Sequence, residues 1–346
     1  MTADILFIGG SLNQTTMMHQ ISSQLGEFNC FFTPFYADGL LGQATKAGLT
    51  DFSILGGRHR HATEEYLKRE GLPVDFGGRQ RNYDLVVTCT DLIIQNNIRN
   101  KRLVLVQEGM TEEENFLYML VRYLKFPRFI ANTAATGLSN AYDVFCVASP
   151  GYRNLFIRKG VNPEKLVVTG IPNYDNIIAY TQNDFPYHGY LLVATSSIRE
   201  TLKFDDREGF LRRVREIAGG RRIIFKLHPN ENVQRATREI RKYFPDAPIF
   251  HDGNVHAMIA NCDVLIAQSS SVIYSALALG KKVYSYLDQA TLNQLLPIQN
   301  GGKSKERIAE VCRQLVCTPL AEVRWSRSKS RRLQRKWENR SSTEPI

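Results

Sequence analysis

Short, continuous runs of β-branched and aliphatic residues recur along this chain, with helical segments between them. The runs ILFIGG (5–10), LVVTC (85–89), LVLVQ (103–107), VFCVAS (144–149) and LVVTG (166–170) show no polar alternation. A strand with one wet face alternates, whereas a strand covered on both faces does not. The runs therefore predict parallel strands sandwiched by helices. Segments such as 61–71 and 150–160 supply the helices, the second opening near Pro150 and closing at Gly160, the usual asymmetry of helix ends. At 171–189 the pattern pauses in a stretch with two prolines and three asparagines, which reads as a linker. It restarts with strands at 190–195, 222–227, 248–252, 264–268 and 282–288, and helices at 206–218, 231–243, 254–261 and 271–279. This predicts an α/β chain of two Rossmann-like domains facing across a cleft. The expected parts are 1–172, a linker at 173–188, 189–318, and a C-terminal helix with a basic tail at 319–346.

The length of 346 residues suits two domains, and 43% hydrophobic residues suffice for their cores. The first ten residues hold no signal-peptide pattern. The longest apolar-rich stretch, NFLYMLVRYLKF (115–126), is interrupted by Arg122 and Lys125. A cytoplasmic protein is the expectation. The six cysteines form no Cys-x-x-Cys pair and the seven histidines show no metal-ligand spacing, so reduced thiols, no metal site and no cofactor are expected. The net charge is +10, and residues 322–346, with eight Lys/Arg and three Glu, carry +5 of it. That balance suits polyanions, phosphorylated small molecules or an anionic membrane. No nucleic-acid-binding motif is present, and nucleic acid is not an expected partner.

In open parallel sheets, ligands bind beyond the carboxyl ends of the strands, and four such ends carry polar residues. Lys226, His228 and Pro229 close RIIFKL (222–227) at a helix start. They read either as a phosphate contact or as a structural turn beside a surface lysine. Ser269, Ser270 and Ser271 follow VLIAQ (264–268). Hydroxyls and free N–H groups there suit an anion, although one serine is enough for a helix cap. Ser196, Ser197 and Arg199 follow YLLVAT (190–195), where serine-rich turns are also common. Glu108, in the turn Gln107-Glu108-Gly109 after LVLVQ, is a candidate general base. Glu112, Glu113 and Glu114 suit the start of a following helix. The pair Gly9-Gly10 in FIGGSLNQT lets backbone approach either a ligand or the next helix. Neither a dinucleotide fingerprint nor a P-loop occurs, and no Asp-x-Asp is present to bridge a metal to a diphosphate.

The Lys-x-His-Pro strand end and the triple-serine helix start, in this setting, resemble the GT-B glycosyltransferase superfold. The similarity is best over 165–288. It points to the bacterial capsule and teichoic-acid branch: CDP-glycerol glycerophosphotransferases and CMP-sugar sialyl-, polysialyl- and Kdo-transferases. The resemblance implies an inverting, metal-independent glycosyltransferase with a CMP- or CDP-linked donor and a surface-polysaccharide or glycolipid acceptor. The first domain would take the acceptor and the second the nucleotide-activated sugar. His228 and Pro229 would match the His-Pro motif on the nucleotide phosphate, Ser269–Ser271 the serine motif, and Gln107-Glu108-Gly109 the motif of the base. Lys226, Ser196, Ser197, Arg199, Gly170 and Pro172 join the donor set. The acceptor set is Gly9, Gly10, Ser11, Asn13 and Gln14. TGIPNYD (169–175) is similar to a stretch before the hinge of such enzymes and of UDP-N-acetylglucosamine 2-epimerases. UDP-sugar members often carry a ribose-binding Glu on the helix after the phosphate loop, where this chain has Tyr274, Ser275 and Ala276.

An epimerase-like enzyme is the alternative, with His61, Asp91, Glu112 and His251 as acid/base candidates; a catalytically inactive nucleotide-binding relative is another. In the tail, Trp325, Leu333 and Trp337 share one helical face among basic residues. Residues 322–340 would meet an anionic membrane, placing the protein peripherally at the inner face of the cell membrane; packing onto the first domain is the other reading.

Overall fold

The computed structural model describes residues 2–51, 53–201, 204–268 and 270–318. The described chain divides into two compact units, one of residues up to Asp175 together with 300–318, the other Asn176–Gln299.

The first unit runs β1 (Asp4–Gly9), α1 (Leu12–Ser22), β2 (Asn29–Pro34), α2 (Gly39–Lys46), α3 (Gly57–Arg69), β3 (Leu85–Thr88), β4 (Arg102–Val106), α4 (Phe116–Leu124), β5 (Val144–Val147), α5 (Pro150–Arg158) and β6 (Leu166–Val168). All six strands are parallel, in the order β2-β1-β3-β4-β5-β6. The unalternating runs of β1, β3, β4 and β5 form its interior, with Leu6, Phe7, Val86, Val104, Leu105 and Phe145 essentially inaccessible. β2 was not legible in the sequence: its apolar stretch is only Phe31-Phe32, between Asn29-Cys30 and Thr33-Pro34.

The second unit runs β7 (Leu191–Ala194), α6 (Arg207–Ala218), β8 (Ile223–Lys226), α7 (Val233–Tyr243), β9 (Ile249–Phe250), α8 (Val255–Asn261), β10 (Val264–Ala267), α9 (Val272–Ala278), β11 (Lys282–Tyr284) and α10 (Gln289–Leu295). Its five parallel strands lie in the order β11-β10-β7-β8-β9. The amphipathic stripes of α6 and α7 cover one face: Phe210, Leu211, Val214, Ala236 and Ile240 pack on Leu191, Val193, Phe225 and Ile266.

Residues 300–318, expected with the second domain, belong to the first unit instead. The Asn300 and Gly301 N–H groups donate to the Asp175 carbonyl at 2.9 and 3.0 Å. The Ser304 N–H donates to Asp175 Oδ2 at 2.7 Å, starting α11 (Ser304–Cys317). Ile308, Ala309, Val311, Cys312 and Leu315 form a buried stripe on α11, which packs against α1 and β3. Arg313 pairs with Glu27 and donates to the Gln24 carbonyl; Arg102 donates to the Leu315 carbonyl. An apolar stripe must find a sheet face, and its own period does not say which one. Residues 319–346, including the expected tail helix and membrane contact, lie outside the described residues.

Candidate functional site

In the second unit the chain leaves β7 toward β8 and β9 on one side, then returns to β10 and β11 on the other. The order reverses between β7 and β10, and in this topology the ligand crevice lies at the carboxyl ends of those strands. Thr195 and Ser196 leave β7 there, Leu227 and His228 leave β8, and Gln268 leaves β10.

A buried polar network joins these ends. Glu231, three residues after His228, is 4% exposed. Its Oε2 accepts the His228 N–H at 2.9 Å and the Thr195 hydroxyl. Its Oε1 accepts Arg207 Nη2 at 2.6 Å, and that nitrogen also donates to the Ser196 carbonyl at 3.2 Å. Arg207 Nε reaches Asp205 Oδ2 at 3.2 Å, and Gln268 Nε2 donates to Asp205 Oδ1 at 2.9 Å. Three atoms of this network have no hydrogen-bond partner among the described residues: Ser196 Oγ, Gln268 Oε1 and Arg207 Nη1. Each such buried group costs about 1–3 kcal/mol. Three together at a switch point form a set of donors and acceptors ready for a ligand.

His228 is half-buried beside this network. Its Nδ1 accepts the Asn230 N–H at 3.1 Å. A neutral imidazole accepting at Nδ1 carries its proton on Nε2, which is then a donor.

Other expected donor residues are placed differently. Lys226 is 6% exposed and gives its ammonium to the Leu227 and His251 carbonyls, both at 2.9 Å; burial lowers its pKa. It ties β8 to the end of β9. Arg199 makes a bidentate pair with Glu239 at 2.8 and 2.7 Å, so its charge is matched within the protein. Pro229 is exposed, while Ser197, Ser270 and Ser271 are half-buried. Ser270 and Ser271 precede α9, where Val272 N lies 3.5 Å from Ser270 Oγ; Ser269 lies outside the described residues. Gly170 and Pro172 are in the first unit, buried at the exit of β6, with Gly170 at φ +85. Thr195, Asp205, Arg207, Glu231 and Gln268 were missed. Gln268 at a strand end and Glu231 after His-Pro were the available signals.

A second cluster lies in the first unit. Ser11 Oγ and Asn13 Nδ2 donate to Glu108 Oε1 at 3.2 and 3.1 Å, and Gln14 Nε2 donates to Oε2 at 2.5 Å. Three of the roughly four acceptor positions of this carboxylate are thereby filled. The Gly10 N–H donates to Gln14 Oε1 at 2.8 Å, which fixes that amide's orientation. Gln107 is internal: its side chain joins the Gly109 carbonyl and the Ala148 N–H. His59 responds electrostatically to Glu108, which opposes the lowering of its pKa by burial and by Arg58. A Cβ on Gly9 would sit 2.5 Å from Thr15 Oγ1, and one on Gly10 2.6 Å from Gln14 Oε1. Both glycines therefore admit the start of α1 to the strand end.

Asp91 is fully buried and accepts the Gly137 and Ser139 N–H groups at 2.9 and 3.0 Å. It braces that turn. Among the described residues, no group of three His, Cys, Asp or Glu side chains could hold a metal. A hollow of about 580 Å³ opens at the end of β9, lined by Phe185, Phe250, Asp252, Asn254 and Met258 among others. It contains none of the unpartnered polar atoms.

The chain resembles several solved structures across most of its length. The UDP-GlcNAc 2-epimerase of Neisseria meningitidis, bound to UDP-GlcNAc, aligns with a TM-score of 0.56 at 10% identity, over 90% of this chain and 100% of that one. The S. aureus MnaA-UDP co-structure gives 0.55 at 14% identity, over 90% and 96%. The wall teichoic acid polymerase TagF with CDPG gives 0.51 at 10%, over 91% and 89%. The fold is GT-B. No family model matches the chain, and no curated protein does. At these identities the likeness is one of fold. The buried network lies at the carboxyl ends of the second sheet, where open parallel sheets bind their ligands.

Proposed function

We propose that this chain is an inverting, metal-independent GT-B glycosyltransferase. It moves a sugar or sugar-like group from a CMP- or CDP-linked donor to a surface-polysaccharide or glycolipid acceptor. The observation that carries the reading is the set of buried unpartnered atoms, Ser196 Oγ, Gln268 Oε1 and Arg207 Nη1, at the switch point of the second sheet. Ser196 and Arg207 donate to phosphate or ribose oxygens, and Gln268 accepts from a ribose hydroxyl or a base amino group. His228 Nε2–H meets the phosphate on which charge develops as the sugar leaves, an electrostatic role. Ser269–Ser271, which follow β10 in the sequence, assist. Glu108 takes the proton of the acceptor hydroxyl, a contribution typically of ~10²–10⁴-fold; Ser11, Asn13 and Gln14 hold that carboxylate.

A thermal-shift series with CMP, CDP, UMP, UDP and GDP tests the nucleotide assignment. At ~100 times Kd a ligand stabilises its protein by about 2.7 kcal/mol, a shift of several degrees. Stabilisation by cytidine nucleotides above the others is expected. No shift with any of the five ends the reading.

The likeness to UDP-GlcNAc 2-epimerases supports a second reading, epimerisation of a UDP-sugar. Against it, the helix position where UDP-sugar enzymes of the resembled group often carry Glu holds Tyr274, Ser275 and Ala276, all buried. Conversion of UDP-GlcNAc without an acceptor would favour epimerisation.

A further inference from the structure

In the first unit, α4 turns an apolar face to solvent. Its buried residues are Tyr118 and Val121, which pack on Ala131, Ala134 and Ala135. At 100° per residue, the opposite side collects Phe116, Met119, Leu120 and Tyr123, with Leu117 and Leu124 on one flank. Phe116, Tyr123 and Leu124 are 74%, 70% and 64% exposed, and Leu117 and Met119 are exposed as well. Phe126 and Phe129 extend the patch beyond the helix end, each 46% exposed. A surface helix of a water-soluble protein carries polar residues on its outer face. Single exposed hydrophobics are ordinary, but a contiguous apolar surface marks an interaction site.

The charge around the patch says what covers it. From 116 to 129 there is no acidic residue, while Arg122, Lys125 and Arg128 are all present. Arg122 is braced on the Tyr118 hydroxyl and the Lys159 carbonyl, and Arg128 Nε donates to the Asp91 carbonyl at 3.1 Å. The backbone fixes two of the three cations at the flank of the patch. Lys125 caps the helix in the left-handed region at φ 56. Glu112, Glu113 and Glu114 precede the helix, and Glu112 is held by the Asn132 amide at 2.9 Å. A second copy on a two-fold axis would set the same patch against itself, bringing like charges together. A nine-residue helix is far too short for a ~30 Å hydrocarbon core. It suits a helix lying in the plane of an interface, with aromatic and aliphatic side chains inward and cations at the headgroups.

We propose that α4 and the turn through Phe129 form a docking surface for an anionic lipid bilayer. It is independent of the tail at 319–346 and of the nucleotide reading.

Full-length protein is incubated with vesicles of phosphatidylcholine containing phosphatidylglycerol and sedimented. The wild type should pellet. The triple variant Phe116→Ser, Tyr123→Ser, Leu124→Ser alters exposed positions only and should bind at least tenfold more weakly with an unchanged Tm. The two native tryptophans, Trp325 and Trp337, lie in the tail. A full chain with both changed to Phe and with Phe116→Trp carries one reporter on α4, whose emission should shift to the blue on adding vesicles. Equal pelleting of wild type and triple variant would overturn the proposal and return any membrane contact to the tail. Reporter emission already blue without vesicles, together with a concentration-dependent dimer, would overturn it in favour of a second copy. Absence of pelleting by the wild type would also overturn it.

Discussion

At the scale of single residues, burial separates charges that hold the protein together from charges that could meet a ligand. Lys226 and Arg199 are cationic near the second sheet's switch point, yet carbonyls and Glu239 satisfy them. His228 presents Nε2–H because Asn230 occupies Nδ1. Replacing His228 with Ala is expected to weaken cytidine-nucleotide binding about tenfold or more, the loss of one charge-assisted hydrogen bond at about 1.5–3 kcal/mol; calorimetric titration measures it. Arg207 is a different case. Its side chain is 4% exposed between Asp205 and Glu231. Arg207→Met leaves the buried Glu231 without its ion pair, while Asp205 keeps Arg199 at 3.4 Å, and a loss of about 3–5 kcal/mol in urea unfolding is expected. An unchanged urea midpoint would show that water reaches the Glu231 carboxylate. Glu108→Gln is not a silent probe either. Gln14 Nε2 would face a second amide that can present N–H, and Gln14 cannot simply turn because Gly10 uses its oxygen. Some loss of Tm is expected. If Glu108 is the base, kcat should fall by ~10²–10⁴-fold while donor Kd stays constant. A near-normal kcat would remove that role.

At the scale of elements, histidine chemistry joins helices. His256 on α8 meets Ser275 on α9 at 2.9 Å and stacks on Tyr180 at a centroid distance of 4.8 Å. Burial lowers its pKa to about 4 from the ordinary 6.5. The folded protein thus keeps this imidazole neutral where the unfolded chain already binds a proton. Stability is expected to be full above pH ~6.5 and to decline as pH falls toward 4, by about 3 kcal/mol in total. His256→Gln keeps a polar side chain without the titration. It should flatten that part of the acid limb in urea titrations at stepped pH, and an unaltered limb would place the acid sensitivity elsewhere.

At the scale of the whole molecule, the chain visits the second unit and comes back. Asp175 and Asn300 stand where it leaves and returns; the Asp175 carbonyl accepts the Asn300 N–H and its carboxylate accepts the Ser304 N–H. Hydrogen exchange under mild urea should protect the amides of α11 together with those of β1 and β3. Protection of α11 in step with β7–β10 would contradict the assignment of 300–318 to the first unit.

The period of the structure was legible in the amino acids. Unalternating runs such as Leu103–Val106 and Leu191–Ala194 are strands because any residues covered on both faces must be apolar, and this pattern is local. Strand ends carrying Glu108, Ser196 and His228 could likewise be read, since turn residues interrupt such runs abruptly. Partner choice was not legible. Glu231 meets Arg207 and Glu108 meets Gln14 only because strand order brings distant segments together. Strand order follows from packing the entire sheet, which no single window of sequence contains. The same holds for Lys226, whose burial set its partners, and for α11, whose apolar stripe is complementary to many surfaces until tertiary packing selects one.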